Sequence, residues 1–202
     1  FAKIWMHAGM ITINGEKMSK SIGNVKSINN VLESWGPNVA RLFCISGHYS
    51  KPIDYTEDLL RENLIRLRQI ETCYYELRLA EQQGESENIS SLLEESREKF
   101  NAALNDDFNT PLGLTVFFNM IKTINGFAAD EKITKEISEH ALPVLEYMLD
   151  VLGIKIQTVS DDDEKSVFVA LACHYCVHIN SPRSRPKTSI RIIQSAPVFI
   201  KI

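Results

Sequence analysis

Acidic residues stop at Glu164, and the stretch from there to Ile202 contains no Asp or Glu. Cysteine is scarce, four in 202 residues, and there are only seven prolines and nine glycines. Those shortages exclude a disulfide-packed secreted module and a collagen-like repeat. No run reaches the about 20 apolar residues needed to cross a bilayer. The longest uncharged stretch, residues 166–182, is interrupted by His, Tyr and Asn, so no transmembrane helix and no membrane partner are expected. A charged start followed by an apolar core is missing too, so no signal peptide is visible. The first residue is Phe1 and not Met, and the start reads as a cut inside a larger protein. A Walker A string is absent, which sets a P-loop NTPase aside.

What is there is ordinary in bulk. An apolar share of 44% and a charged share of 24% fit a globular chain of one or two domains. The net charge of −4 hides an asymmetry. Five of the 22 basic residues (Arg183, Arg185, Lys187, Arg191 and Lys201) follow residue 165, leaving 17 against all 26 acids, a net of −9 for the first 165. An acidic body does not advertise nucleic-acid binding by bulk charge, so such binding has to use local clusters. Residues 17–26, residues 61–68 and the tail are the candidates. Cys44 and Cys73 lie in apolar and helical runs and read as small buried hydrophobes. Thiols without a secretory signal read as reduced, and the compartment as cytoplasmic.

Apolar residues alternate in Met10-Ile11-Thr12-Ile13, a short strand signal. Ser27 caps a helix with Ile28, Val31 and Leu32 on one face, stopped at Gly36-Pro37. A second helix carries Val39, Leu42, Phe43 and Ile45 and ends at Gly47, and Pro52 keeps the next stretch extended. Thr56 caps a long helix whose stripe is Leu60, Leu64, Leu67, Ile70, Tyr74 and Leu77. Arg61, Glu62, Arg66, Arg68, Glu71 and Glu76 read as its solvated side. Ser91-x-x-Glu94 has capping-box spacing and opens a helix to Leu104. After a polar break at 105–109, Thr110-Pro111 reads as N-cap and first helical residue, followed by Leu114, Phe117, Phe118, Ile121 and Ile124. A last helix runs over Ile137, Ala141, Val144, Leu145, Met148 and Leu152 to Gly153. The middle of the chain is expected to be an antiparallel bundle of about four helices.

Chemistry concentrates in Gly15-Glu16-Lys17-Met18-Ser19-Lys20-Ser21-Ile22-Gly23-Asn24. Two ammonium groups and two hydroxyls sit in a glycine-flanked loop. Such a loop closes over a polyphosphate, the lysines offsetting charge and the hydroxyls donating hydrogen bonds. Attack of a carboxylate on the α-phosphate of ATP builds charge on the departing pyrophosphate, which a lysine loop stabilises.

Lys17-Met18-Ser19-Lys20-Ser21 resembles the KMSKS signature of class I aminoacyl-tRNA synthetases. Its surroundings narrow the likeness. Trp5-Met6-His7-x-Gly9, then Asn14-Gly15-Glu16 before the signature, is similar to cysteinyl-tRNA synthetases. So are Arg41-Leu42-Phe43 with Ser46-x-His48-Tyr49 and Pro52, and Asp107-Phe108-Asn109-Thr110-Pro111. The likeness covers roughly residues 1 to 155. It implies a mainly α chain: the end of a class I nucleotide-binding α/β catalytic domain with the KMSKS loop and stem-contact segment at 1–50, an antiparallel helical bundle of the anticodon-binding type at 51–158, and an atypical tail at 159–202. The implied activity is ATP-dependent cysteine–tRNA ligation, with tRNA(Cys), ATP and cysteine as partners, magnesium accompanying ATP, and a monomeric state. Lys20 and Lys17 would be catalytic. Lys20, Lys17, Met18, Ser19, Ser21 and His7 would bind ATP. Trp5 reads equally as pocket lining or as packing.

The resemblance also places features outside this sequence. The family's first signature, His-Ile-Gly-His or a close relative, is absent. The zinc ligands that select the cysteine thiol would lie upstream of Phe1, so no metal residue is assigned and the chain alone is not expected to form the adenylate. Cys173-His174-Tyr175-Cys176-Val177-His178 holds zinc-type ligands but lacks a second pair at a set spacing. The acid-free, β-branched tail departs from the charged helical ending of the family, as a frameshift or divergent terminus near Lys165 would produce. Two other readings stay open: a cysteine ligase acting on an amino sugar, and a non-catalytic tRNA-binding module. Arg61, Arg66, Arg68, Arg97, Asp106, Asp107 and Asn109 are candidate tRNA contacts without assignment.

Overall fold

The computed structural model describes residues 1–156 apart from 20, 22, 24 and 84–88. The tail expectations, including the Cys173–His178 ligand reading, lie outside the described residues.

A small sheet opens the chain. Strand β1 (Ile11–Ile13) turns at Asn14-Gly15 into β2 (Glu16–Lys17). Both turn residues have positive φ, 52° and 79°, the backbone that a two-residue hairpin demands and that Asn-Gly supplies at low cost. Thr12 pairs with Lys17 and Ile13 with Glu16. The third strand, β3 (Ile53–Tyr55), runs parallel to β1 on its other side, with Thr12 opposite Asp54. β1 was expected from its alternation and the stretch after Pro52 as extended chain; β2 was not, since two residues leave no period to read.

Helix α1 (Ile28–Ser46) is two arms joined without a loop. Gly36, at φ 77° and ψ 163°, breaks the helix, and Pro37 starts the second arm, as the two-helix reading expects. The Ser27 hydroxyl accepts from the Asn29 amide at 3.3 Å. In the first arm only Val31 is buried, while Ile28 and Leu32 are exposed. In the second, Val39, Ala40, Leu42 and Phe43 are buried. Cys44 lies off that stripe and is exposed, which corrects the expectation of burial; Cys73 is buried as expected.

Four more helices complete the fold: α2 (Glu57–Arg78), α3 (Ser90–Asn105), α4 (Thr110–Ala129) and α5 (Lys135–Leu152). Thr56 caps α2 through the Leu59 amide at 3.2 Å, with Glu57 and Asp58 in the first turn where the dipole favours acids. Two expected caps shift by one or two residues. The α3 turn already closes at Ile89, whose carbonyl accepts from Leu93, so Ser91 is inside the helix and caps nothing. In α4 the cap is Asn109, accepting from the Leu112 amide at 3.2 Å, because the Thr110 hydroxyl turns to the Gly47 carbonyl at 3.4 Å. Gly153 ends α5 in the left-handed region, with Ile154 bonding back to Leu149 and burying its side chain.

Helix α2 packs against α1, α4 and α5, and α3 against α4 and α5. The core joins Leu42 of α1, Leu60, Ile70 and Leu77 of α2, Phe100 of α3, Phe117 and Ile124 of α4, and Ala141 and Leu145 of α5, all without exposure. Each large side chain there contributes about 1.5–3 kcal/mol by leaving water. The polar side of α2 is not uniformly solvated: Arg66, Arg68, Glu71 and Glu76 are half-buried. Arg68 reaches Glu71 at 2.6 Å, and Arg66 stacks over the Phe118 ring at 5.9 Å. Proximity to α1 and α4 covers residues that helical period alone assigns to solvent. By length and composition α4 is apolar enough to cross a membrane, but its Leu114, Phe117, Met120, Ile121 and Ile124 face the bundle core.

Candidate nucleotide-binding loop

The lysine loop grows out of the hairpin. Lys17 is the last residue of β2, Met18 and Ser19 follow half-buried, and Ser21 is exposed. The Ser19 and Ser21 hydroxyls lie 2.8 Å apart. Lys17 and Ser19 both have interaction partners in the fold. Lys20, expected with Lys17 to be catalytic and to bind ATP, is outside the described residues.

The root of the loop is held from two sides. Gly9 donates to the Tyr49 carbonyl at 2.7 Å and Ile53 to that of Met10 at 3.1 Å, so 9–13 runs alongside 49–55. A Cβ on Gly9 would come within 2.2 Å of the Lys51 carbonyl oxygen, an approach only glycine permits. From β3, Asp54 accepts the Thr12 hydroxyl at 2.7 Å and the Gly15 amide at 2.9 Å on the same oxygen. These bonds, the Gly15 amide first, hold the Asp54 carboxyl below its ordinary value. Tyr55 meets Phe43 edge-on at 5.8 Å, which ties β3 to the second arm of α1.

His7 is exposed on the lead into β1, two residues before Gly9. Trp5 is 68% exposed and lies against Phe1, with ring centroids 6.2 Å apart, so no packing role is seen for it in the bundle core.

Two sequence strings with no visible link also meet. Tyr49 donates to an Asp107 carboxylate oxygen at 2.7 Å across 58 residues. Acceptance by Asp107 is the main cause that raises the Tyr49 phenol above its ordinary value. His48 Nε2 lies 3.1 Å from the Asp107 carbonyl, and Nδ1 lies 2.8 Å from the Ser50 hydroxyl. A carbonyl only accepts, so Nε2 carries the proton. Asp107 and Phe108 both have φ of 51°, unusual for such residues, and Phe108 meets Tyr49 edge-on. Of the candidate tRNA contacts, Arg61 pairs with Asp58 and Glu57, and Arg97 lies over Tyr147 at 5.0 Å.

A lysine- and serine-bearing loop on a clamped hairpin suits a polyphosphate. Zinc finds no such fit: among the described residues no group of three or more His, Cys, Asp or Glu is placed to hold a metal.

Comparison with known proteins gives the same direction. Residues 1–64 match the model of the class I (C) tRNA synthetase catalytic domain, and residues 99–157 match the DALR domain. A cysteine–tRNA ligase of Geobacillus sp. (strain WCH70) is 34% identical over 170 residues, covering 82% of this chain. The chain belongs to the cysteinyl-tRNA synthetase family. A second relative in that family, from Azotobacter vinelandii, is 42% identical over 125 residues, 62% of this chain. The chain spans 36% of the length of the first relative and 25% of the second. Among solved structures, LeuRS of Agrobacterium radiobacter K84, in a ternary complex with tRNA and LeuAMS, superposes with a TM-score of 0.58 at 18% identity. That match covers 82% of this chain and 21% of the LeuRS chain, and it shows the class I synthetase fold.

Asp54 and the Tyr49–Asp107 bond were missed by sequence reasoning. Both join residues 39 or more apart, and no local pattern signals such a pairing.

Proposed function

We propose that this chain acts in ATP-dependent ligation of cysteine to tRNA(Cys). In the first step a cysteine carboxylate oxygen bonds to the α-phosphorus of ATP, the bond to the bridging oxygen breaks, and pyrophosphate leaves. In the second a 3′-terminal hydroxyl of the tRNA attacks the cysteinyl carbonyl carbon and AMP departs. Lys20 and Lys17 offset the charge that grows on the pyrophosphate, and Ser19 and Ser21 donate to its oxygens. Met18 gives the loop a half-buried anchor, and His7 lines the nucleotide side. Magnesium, bound with ATP, supplies further charge compensation.

The observation that carries this reading is the complete Lys17-Met18-Ser19-Lys20-Ser21 string, set on a hairpin within the residues that match the class I catalytic domain. The DALR match over 99–157 favours tRNA over an amino sugar as acceptor. In this reading residues 1–50 are the nucleotide-handling end, 51–158 bind tRNA, and the protein works as a cytoplasmic monomer.

The test is binding of the chain to an in vitro transcript of tRNA(Cys), beside one with a changed anticodon, at two salt concentrations. Tighter binding to the first, weakening with salt, is expected because phosphate contacts dominate such affinities. Equal affinity for both transcripts, or none at low salt, overturns the tRNA-binding share of the reading.

A further inference from the structure

The hairpin that carries the signature loop has only two residues in its outer strand, too few to fix its own position. Beyond the backbone pairing of β1 with β3, what holds it is one carboxylate oxygen on that neighbouring strand. Asp54 Oδ1 receives the Thr12 hydroxyl at 2.7 Å from β1 and the Gly15 amide at 2.9 Å from the turn. Thr12 and Asp54 are direct partners in the parallel register, so the side-chain bond adds to the backbone pairing. The Gly15 amide is the more telling donor. It lies beyond β1, on the turn itself, two residues before Lys17. At about 3.3 Å per extended residue, the clamp sits roughly 7 Å of chain from the first lysine of the loop.

We infer that Asp54 is a positioning residue for the signature loop: it fixes the Asn14-Gly15 turn, and through β2 the point from which Lys17 and the loop depart. The inference rests on the proposed role of that loop in holding ATP. An ionised carboxylate suits the task, because one oxygen takes two donors and its charge shortens both bonds. Asparagine offers the same oxygen without the charge, and alanine offers nothing. Asp54 is also two residues before Thr56, the cap of α2, and Tyr55 between them rests on Phe43. The clamp is therefore itself held by the bundle side of the chain.

The test uses the whole chain with Asp54→Ala, Asp54→Asn and Thr12→Val, each checked by thermal melting. Two readouts are followed: amide NMR of Gly15 and Lys17 across an acid titration, and titration with magnesium ATP. In the parent chain the Gly15 amide is expected to follow a carboxyl that protonates below the ordinary aspartate range of about 3.9. Asp54→Ala is expected to abolish that inflection, shift the Lys17 amide, and weaken ATP binding about tenfold, the size of one lost charge-assisted bond. Asp54→Asn is expected to lose the inflection yet keep ATP affinity within about threefold, since its oxygen still accepts both donors. A residue that served only general stability would lower the melting point without that rescue pattern. If Asp54→Ala leaves the Lys17 amide and ATP affinity at parent values, the inference is overturned. If the parent chain itself binds no ATP, the loop does not hold the nucleotide without the family's first signature, and the Lys17 amide decides: shifted in Asp54→Ala supports the clamp, unshifted ends it.

Discussion

Asn38 and Lys155 hold each other through a matched pair of hydrogen bonds. The Asn38 amide donates to the Lys155 carbonyl at 2.8 Å, and its oxygen accepts from the Lys155 amide at 3.2 Å. This pair fastens the chain beyond α5 onto the second arm of α1, across 117 residues. Asn38→Ala removes both bonds at once. It is expected to cost about 1–2 kcal/mol, read as a lower urea midpoint at unchanged slope.

Gly9 is expected to tolerate no side chain. A Cβ would strike the Lys51 carbonyl oxygen at 2.2 Å, and both sides are backbone. Gly9→Ala should therefore displace β1 from the 49–53 segment and cost about 1–3 kcal/mol. Gly126→Ala, with open space around it inside α4, is the control and is expected to be neutral or slightly stabilising. Limited proteolysis near the hairpin checks the pair: cleavage there should rise for Gly9→Ala alone.

Burial raises the Glu76 carboxyl above its ordinary value. Glu81 and Glu131 line the same cleft at the end of α2. An acid raised in the folded state contributes stability that is fully present below its unfolded value of about 4.3 and is lost as pH climbs through the folded one. Glu76→Gln is thus expected to raise the melting temperature at pH 7 and leave it nearly unchanged at pH 4. An equal gain at both values would refute the ionisation argument.

The two described cysteines should separate by reactivity. Burial pushes the Cys73 thiol up to about 12, with Glu76 adding to the shift. Cys44 is exposed, although partial burial raises it too and Arg41 pulls the other way. In a Cys173→Ser, Cys176→Ser background at pH 8, a disulfide reagent is expected to titrate one thiol in the folded chain and two in denaturant. Two fast thiols without denaturant would contradict the buried position of Cys73.

Helices were legible because their period is long enough to repeat. The α5 stripe from Ile137 to Leu152 read correctly even across Pro143, and Thr56 marked the start of α2. The caps at Asn109 and Ile89 were not: Thr110 carries the same capping chemistry as Asn109 and only its tertiary partner, the Gly47 carbonyl, decides between them, while Ile89 has no capping side chain to read. Cys44 shows a related failure: an apolar run says that a helix is packed, not which of its residues meets the partner. At the candidate site the loop residues were visible as a string. The acceptor that clamps them, Asp54, was not, because an isolated aspartate before a helix cap reads as turn chemistry. Likewise the 46–52 and 107–111 strings each stood out, while their meeting through Tyr49 and Asp107 is a product of the fold.

Strand β3 has consequences for chain length. Within a few residues it accepts a parallel neighbour at Ile53, clamps the turn at Asp54, rests on α1 at Tyr55 and caps α2 at Thr56. Every residue there has its own separate appointment, so an inserted or deleted residue would put all four out of step. Indels compatible with folding should therefore collect elsewhere, and the spacing between Lys51 and Glu57 should be as fixed a quantity as any side chain in the loop.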